Sequence, residues 1–215
     1  VRSPIAFLFD VDNTLIDNDR VKADFATGIA AALGAEQAGR FWAIYEDVRH
    51  ERDFVDLPLT LERLDQELRG DAGVVVVREL VLGYPFETAL YPDALEVLAH
   101  VQSAGPAAIV TDGDPVYQPA KIERAGLAAA VDGRVFVYTH KEHHLLDVQA
   151  AVPADRYVLV DDKRSILADV EDMHGHVFTV HVRQGHYADD QVDGPAPNLT
   201  IDHIGDLLAF DPASL

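Results

Sequence analysis

The chain contains no cysteine, one methionine, one tryptophan and only four lysines among its 17 basic residues: Lys22, Lys121, Lys141 and Lys163. Without cysteine there is neither a disulfide nor a thiolate metal site. No apolar run approaches the roughly 18 residues that a membrane-spanning helix needs. Val1–Phe9 carries no basic cluster ahead of an apolar stretch, so it does not read as a secretory leader, and the expected setting is soluble and cytoplasmic. Positive charge is scarce overall: 17 Lys and Arg stand against 37 Asp and Glu, a formal net charge of −20. That field repels a nucleic-acid backbone, so neither nucleic acid nor membrane is expected as a partner. It equally repels a small phosphate ester, unless a metal ion or local cations reverse its sign at one place. Each lysine is therefore worth tracing.

What is present is a chain of 215 residues, 48% hydrophobic, enough for one good-sized core or a core carrying a smaller insert. Pro4–Phe9 is a short apolar run that stops at Asp10 and reads as a buried strand. Pro92–Ala104 reads as a helix with Pro at its first position and Leu95, Leu98 and Val101 on one stripe. A strand over Ala107–Thr111 follows, and Asp114-Pro115 reads as the cap and first residue of a helix ending near Ala125. Arg134–Tyr138 reads as a strand, His143–Ala151 as a helix, Tyr157–Val160 as a strand, Ser165–Met173 as a helix and His176–Val182 as a last strand. This alternation predicts an α/β fold with a mostly parallel sheet covered on both faces, and ligands beyond the carboxyl ends of its strands. Residues 17–90 break the rhythm, with helical patterns at Val21–Leu33, Ala38–Arg52, Thr60–Arg69 and Ala72–Leu82. Four successive valines, Val74–Val77, pull the last of these toward a strand by propensity. The segment reads as a helical cap domain, 17–90, inserted into a core made of 1–16 and 91–215. Gly185–Asn198, rich in Asp, Gly and Pro, reads as a loop.

Four segments put polar groups directly after an apolar strand: Asp10 and Asp12; Thr111 with the Asp112-Gly113 turn; Lys141; and Asp161 with Asp162. Side by side, the four carboxylates Asp10, Asp12, Asp161 and Asp162 would repel one another by roughly 4 kcal/mol per pair at 4 Å and an effective dielectric near 20. A cluster of that kind calls for a cation or for protonation. An all-oxygen ligand set suits Mg²⁺ better than zinc or copper.

Taken in order, FLFDVDNTL at Phe7–Leu15, IVTDGD at Ile109–Asp114, Lys141, and YVLVDD at Tyr157–Asp162 resemble the four motifs of the haloacid dehalogenase superfamily. The resemblance implies a Rossmann-like three-layer core with strand order 5-4-1-2-3 and a cap over the site. It also implies Mg²⁺-dependent hydrolysis of a small phosphomonoester, a phosphorylated metabolite, through an aspartyl-phosphate. By motif, Asp10 becomes nucleophile and metal ligand, and Asp12 the general acid/base with its backbone carbonyl on the metal. Thr111 and Lys141 hold the phosphoryl group, and Asp161 completes the metal site. Many members carry a further Asp four residues beyond Asp161; Ser165 stands there, and Asp162 is the expected substitute. A halide leaves without a proton, so the presence of Asp12 favours phosphate chemistry over dehalogenation. A phosphomutase and a phosphate-binding protein without turnover are the alternatives, and the sequence leaves the oligomeric state open.

Less specific features complete the reading. Trp42, Tyr45, Arg49 and Arg52 form one helical stripe beside the core-facing Phe41, Ile44 and Val48. Arg49 and Arg52 are thus expected either to meet substrate or to pair with Glu46, Asp53 or Asp56 in solvent. His140, His143 and His144 read as a second metal site or as solvated residues opening a helix. Arg183, His186 and Tyr187 lie just past the last strand, at the edge of the site or on an ordinary surface loop.

Overall fold

Successive residues of the first strand are apolar because both sides of it are covered. The structure, a computed structural model, describes residues 2–215. The first strand, β1 (Ser3–Phe9), sends Phe7 and Phe9 into one hydrophobic cluster and Ala6 and Leu8 into another. The chain continues through α1 (Asn18–Arg52), α2 (Leu57–Glu67), α3 (Ala72–Leu82), α4 (Ala94–Val101), β2 (Ala107–Asp112), α5 (Tyr117–Arg124) and α6 (Leu127–Ala130). It then forms β3 (Val135–Tyr138), α7 (Leu145–Ala151), β4 (Ala154–Asp161), α8 (Arg164–Met173), β5 (Val177–Val182) and β6 (Leu199–Ile201). The six strands form one parallel sheet in the order β3-β2-β1-β4-β5-β6. Its first five strands follow the implied order 5-4-1-2-3. β6, three residues in a stretch without a strand pattern, extends the edge by pairing Ile201 with Val182.

Helices cover both faces. Val97, Leu98 and Val101 of α4 and Ile122 of α5 join the Phe7 side, while Leu145 and Val148 of α7 and Leu167 and Val170 of α8 join the Leu8 side. Each fully buried Leu, Val or Phe contributes about 1.5–3 kcal/mol relative to exposure. Helix α4 starts at Ala94, so Pro92 precedes it, and Ala94, Val97, Leu98 and Val101 face inward while Leu95 is exposed. Leu98 and Val101 of the expected stripe are thus buried, while Ala94 and Val97 take the place expected for Leu95.

Between β1 and β2, helices α1–α3 pack on one another and form the helical insert. Helix α1 is two helices joined at Gly34, whose φ of 77° is left-handed and suits glycine. The four valines are helical: Val74, Val77 and Val81 are buried on one side of α3, and Val75 and Val76 face out. Packing against α1 overrides their strand propensity, because a strand would bury Val76 with Val74 and turn Val77 outward.

Gly105, at the turn into β2, lies so close to β1 that a Cβ there would sit 1.9 Å from the Ile5 carbonyl oxygen. The obstacle is backbone of the central strand and cannot rotate aside. Gly105→Ala is expected to cost about 1–3 kcal/mol and to lower Tm by about 2–10 °C in a thermal melt; an unchanged Tm would show that the two strands tolerate separation here.

Candidate active site

Strand register builds the floor of the site. Leu8 pairs with Leu159 and Phe9 with Val160, and the Asp10 amide donates to the Val160 carbonyl at 3.0 Å. The next step along both strands therefore sets Asp10 beside Asp161. β2 brings Thr111 to the same edge, and the turn after β3 brings Lys141. Asp10, Thr111, Lys141, Asp161 and Asp162 are all buried.

Lys141 Nζ bonds Asp10 Oδ1 and lies 2.6 Å from Asp161 Oδ2. One carboxylate oxygen from each of Asp10, Asp161 and Asp162 lies within 4.8 Å of the others, and among the described residues this is the one such group of metal-ligating side chains. Burial pushes the Asp10 carboxyl up to about 6, with Lys141 pulling it down and Asp161 and Asp12 pushing it further up. Burial, with Asp161 and Asp10 alongside, pushes Asp162 up to about 9. Burial alone would depress the Lys141 ammonium, but Asp10 and Asp161 outweigh it and hold it above its ordinary value. Both Oδ atoms of Asp162 are buried without a hydrogen-bond partner. An orphaned buried carboxylate costs several kcal/mol, at the level of about 3–5 for a broken buried pair. A hard, oxygen-seeking cation among these three carboxylates answers that deficit, and the donor set fits Mg²⁺.

Asp12 has a different setting. Its carboxylate is outside the metal-ligating group and is turned to Lys121 Nζ on Oδ1 and Gln118 Nε2 on Oδ2, the latter at 2.9 Å. Burial acts to raise this carboxyl, yet the Lys121 ammonium and the hydrogen bonds from Lys121 and Gln118 leave it below the usual range. The same Gln118 amide reaches Thr111 Oγ1 at 3.2 Å, so one side chain ties the second-strand hydroxyl to the first-strand acid. Lys121 is itself buried, bonded to Asn18 Oδ1 at 3.0 Å and placed over the Phe86 ring. Neither Gln118 nor Lys121 belongs to a strand-end segment. The rarity of lysine was the signal for the second of them.

The loop after β5 closes one side. Gly185, with φ 66°, lies against Asn13, and a Cβ on it would be 2.4 Å from the Asn13 side chain. Asn13 Oδ1 accepts from the amides of Asn18 and Asp19, capping α1 from within the first motif. His186 Nδ1 meets Asp19 Oδ1 at 2.6 Å. His186 and Tyr187 line the cavity, whereas Arg183 points away to Asp189 and Asp202.

Above the floor is a cavity of about 450 Å³ enclosed by the core and the helical insert, within the range of roughly 300–1,000 Å³ usual for small-molecule sites. Arg49 lines it, with an exposed pair to Glu46 at 3.4 Å, while Arg52 does not. The histidines separate: His140 and His143 approach Glu142 Oε1 at 3.6 and 3.7 Å, but His144 pairs with Asp147 instead. Asn198, at the end of the expected loop, accepts a hydrogen bond from the Thr179 amide at 2.7 Å and holds β5 to the strand that follows.

These features, an acidic floor on adjacent parallel strands with a lysine between and a helical insert above, define a hydrolase of one family. The family model for haloacid dehalogenase-like hydrolases matches residues 6–170, and the chain belongs to that family. A haloacid dehalogenase-like protein of Burkholderia xenovorans LB400 is 41% identical, with a TM-score of 0.89 over 97% of each chain. The HAD-hydrolase YfnB of Bacillus subtilis, bound to magnesium, has a TM-score of 0.63 at 16% identity over 96% of this chain and 97% of its own. An L-2-haloacid dehalogenase of Xanthobacter autotrophicus has a TM-score of 0.60 at 18% identity over 95% and 96%. No match was found among curated proteins.

The contact between Asp53 of the insert and His140 of the core is titratable. His140, with φ 60° and directly before Lys141, places Nε2 2.7 Å from Oδ2 of Asp53, itself left-handed at the end of α1. The Asp53 hydrogen bond raises the His140 pKa above 6.5. A raised histidine stabilises the fold fully below its unfolded pKa and loses that contribution as pH rises through the folded one. Asp53→Asn retains a residue that tolerates φ > 0. Its Tm deficit against the parent is expected to be largest below pH 6.5 and to shrink at higher pH; a deficit constant with pH would remove His140 as the partner.

Proposed function

We propose that the protein hydrolyses a small phosphomonoester, with Asp10 as nucleophile and Mg²⁺ as cofactor. The observation that carries this reading is the pairing of two carboxylates in opposed settings: Asp10 buried against Lys141 and the acidic floor, and Asp12 partly exposed to the cavity and held by Lys121 and Gln118. A nucleophile and a separate acid/base two residues apart serve a leaving group that needs a proton. A departing halide needs none.

In this reading Asp10 attacks phosphorus, the P–O bond to the leaving alcohol breaks, and the alkoxide oxygen takes a proton from Asp12. Water then attacks the phosphorus of the aspartyl-phosphate and gives its proton to Asp12, releasing inorganic phosphate and restoring the Asp10 carboxylate. Lys121 keeps Asp12 ionised while the cavity is free. An arriving phosphate dianion raises its pKa again, so the residue takes up the proton it later delivers. Lys141 and the Thr111 hydroxyl meet the phosphoryl oxygens. Asp10, Asp161 and Asp162 would hold Mg²⁺, which supplies charge neutralisation for the nucleophile and the phosphoryl group. The magnesium-bound YfnB, of the same fold, supports this choice of ion. Helices α1–α3 would act as the cap that excludes water and selects the substrate.

Asp10→Asn, or EDTA, is expected to abolish turnover of a generic aryl phosphate in a phosphate-release assay. Full activity in either case would sink the mechanism. Asp12→Ala should lower kcat by about 10²–10⁴; an unchanged rate, together with halide release from a haloacid, would make the protein a dehalogenase instead.

Asp162→Asn separates stability from cofactor binding. Replacing a buried carboxyl that has no hydrogen-bond partner should leave the Tm without divalent metal equal to or above the parent's, while the rise in Tm on adding Mg²⁺ is lost or halved. A lower metal-free Tm with a full Mg²⁺ response would contradict the assigned role.

A further inference from the structure

All four lysines of this acidic chain converge on one place: Lys22, Lys121 and Lys163 line the cavity, and Lys141 is in its floor. The bias extends beyond lysine. Five of the 17 Lys and Arg line the cavity, but only five of the 37 Asp and Glu do. In a chain of formal charge −20 the cavity lining is thus close to balanced in charge, far less negative than the rest of the protein.

The cations differ in what already occupies them. Lys141 is bound by Asp10 and Asp161, and Lys121 by Asp12. Lys163 belongs to the phosphoryl end: it directly follows Asp161 and Asp162 in the chain, and its Nζ is 5.4 Å from the Tyr187 ring. Arg164 of the core donates to the Pro195 carbonyl at 3.5 Å, and two cations of the helical insert remain. Lys22, half-buried in the first part of α1, has no ion-pair partner among the described residues. Arg49, in the second part of α1, has only the solvent-exposed Glu46 contact at 3.4 Å, of a kind worth about 0–1 kcal/mol. The fold at Gly34 turns both halves of α1 toward the same cavity. Phe25, Trp42, Tyr45 and Tyr117 line the same cavity and supply apolar wall.

A phosphoryl group on the floor is served by Lys141, Lys163, Thr111 and the metal. It does not account for two further cavity-lining cations supplied by the insert. We infer that the substrate carries a second anionic group, a carboxylate or a second phosphate, on a ring or apolar body, and that Lys22 and Arg49 receive it. The inference rests on the phosphohydrolase reading of the floor and extends it to the class of substrate.

The test uses three aryl phosphates of one shape: para-carbamoylphenyl phosphate with a neutral body, para-carboxyphenyl phosphate, and the para-phenylene bisphosphate. With Mg²⁺, kcat/KM is expected to favour at least one anionic body over the neutral one by about tenfold or more. Which of the two is preferred distinguishes carboxylate from phosphate. In Lys22→Gln/Arg49→Gln that ratio should fall to near unity, chiefly through KM, because the contact is the same in ground and transition states. Comparing ratios between proteins cancels leaving-group chemistry. Arg52→Gln, outside the cavity, should keep the parent ratio. A parent ratio near unity, or a ratio unchanged in the double variant, overturns the inference. Calorimetric binding of the same compounds to Asp10→Asn protein separates it from the reaction: a preference of about tenfold in Kd for an anionic body, lost with Lys22 and Arg49, upholds the second-anion site even if turnover of every ester fails. Equal Kd values overturn it even if turnover succeeds.

Discussion

Asp10 and Asp161 end neighbouring strands with Lys141 between them, and the surrounding structure follows from the cost of keeping that charge buried. Two carboxylates about 4 Å apart repel by roughly 4 kcal/mol at an effective dielectric near 20, an appreciable part of a typical folding stability of about 5–15 kcal/mol. The sheet order makes the cluster unavoidable, since β1 and β4 are hydrogen-bonded neighbours and their register aligns the two acids. The lysine must then arrive from another strand. It does so through the left-handed His140 after β3, while the Lys141 amide is held by Asp112 Oδ1 at 2.8 Å.

Asp12, two residues along, escapes this crowd. The chain leaves the sheet after Asp10, and Lys121 and Gln118 on α5 meet the second carboxylate at the cavity wall. Two acids of the same segment thus acquire opposite perturbations, Asp10 raised and Asp12 lowered, from environments only a few ångströms apart. In the proposed reaction such a division would let one carboxyl act as nucleophile while its neighbour exchanges protons. Asn13, the residue between this pair and the insert, also caps α1. The chemistry and the entry into the helical insert are consequently parts of one local structure.

The distribution of charge carries the same logic to a larger scale. Acidic residues outnumber basic ones by 37 to 17, yet all four lysines are gathered at the cavity. Lys22 and Arg49 come from the insert, Lys121, Lys141 and Lys163 from the core, so the site's potential depends on both parts being apposed. The Asp53–His140 and Asp19–His186 contacts tie insert to core at two points of the cavity rim.

Much of this was legible in the chain alone, for physical reasons. Strand-end polar groups after apolar runs reveal themselves by position, which is why Asp10, Asp12, Thr111, Lys141, Asp161 and Asp162 could be named and the parallel α/β core with its helical insert anticipated. Local signals misled where packing decides: strand propensity pulled at the valines of α3 although the helical pattern over Ala72–Leu82 held, Leu95 turned outward, and three-residue β6 had too few side chains to show a period. They were also silent on pairings between residues far apart in the chain. That Lys121 holds Asp12 across 109 positions, that Gln118 joins Asp12 to Thr111, that Arg49 lines the cavity and Arg52 does not, and that Asp162 is left without a partner were decided by tertiary structure. Residue types and their order determine which groups reach a strand end; only the packed arrangement determines which charge they meet there.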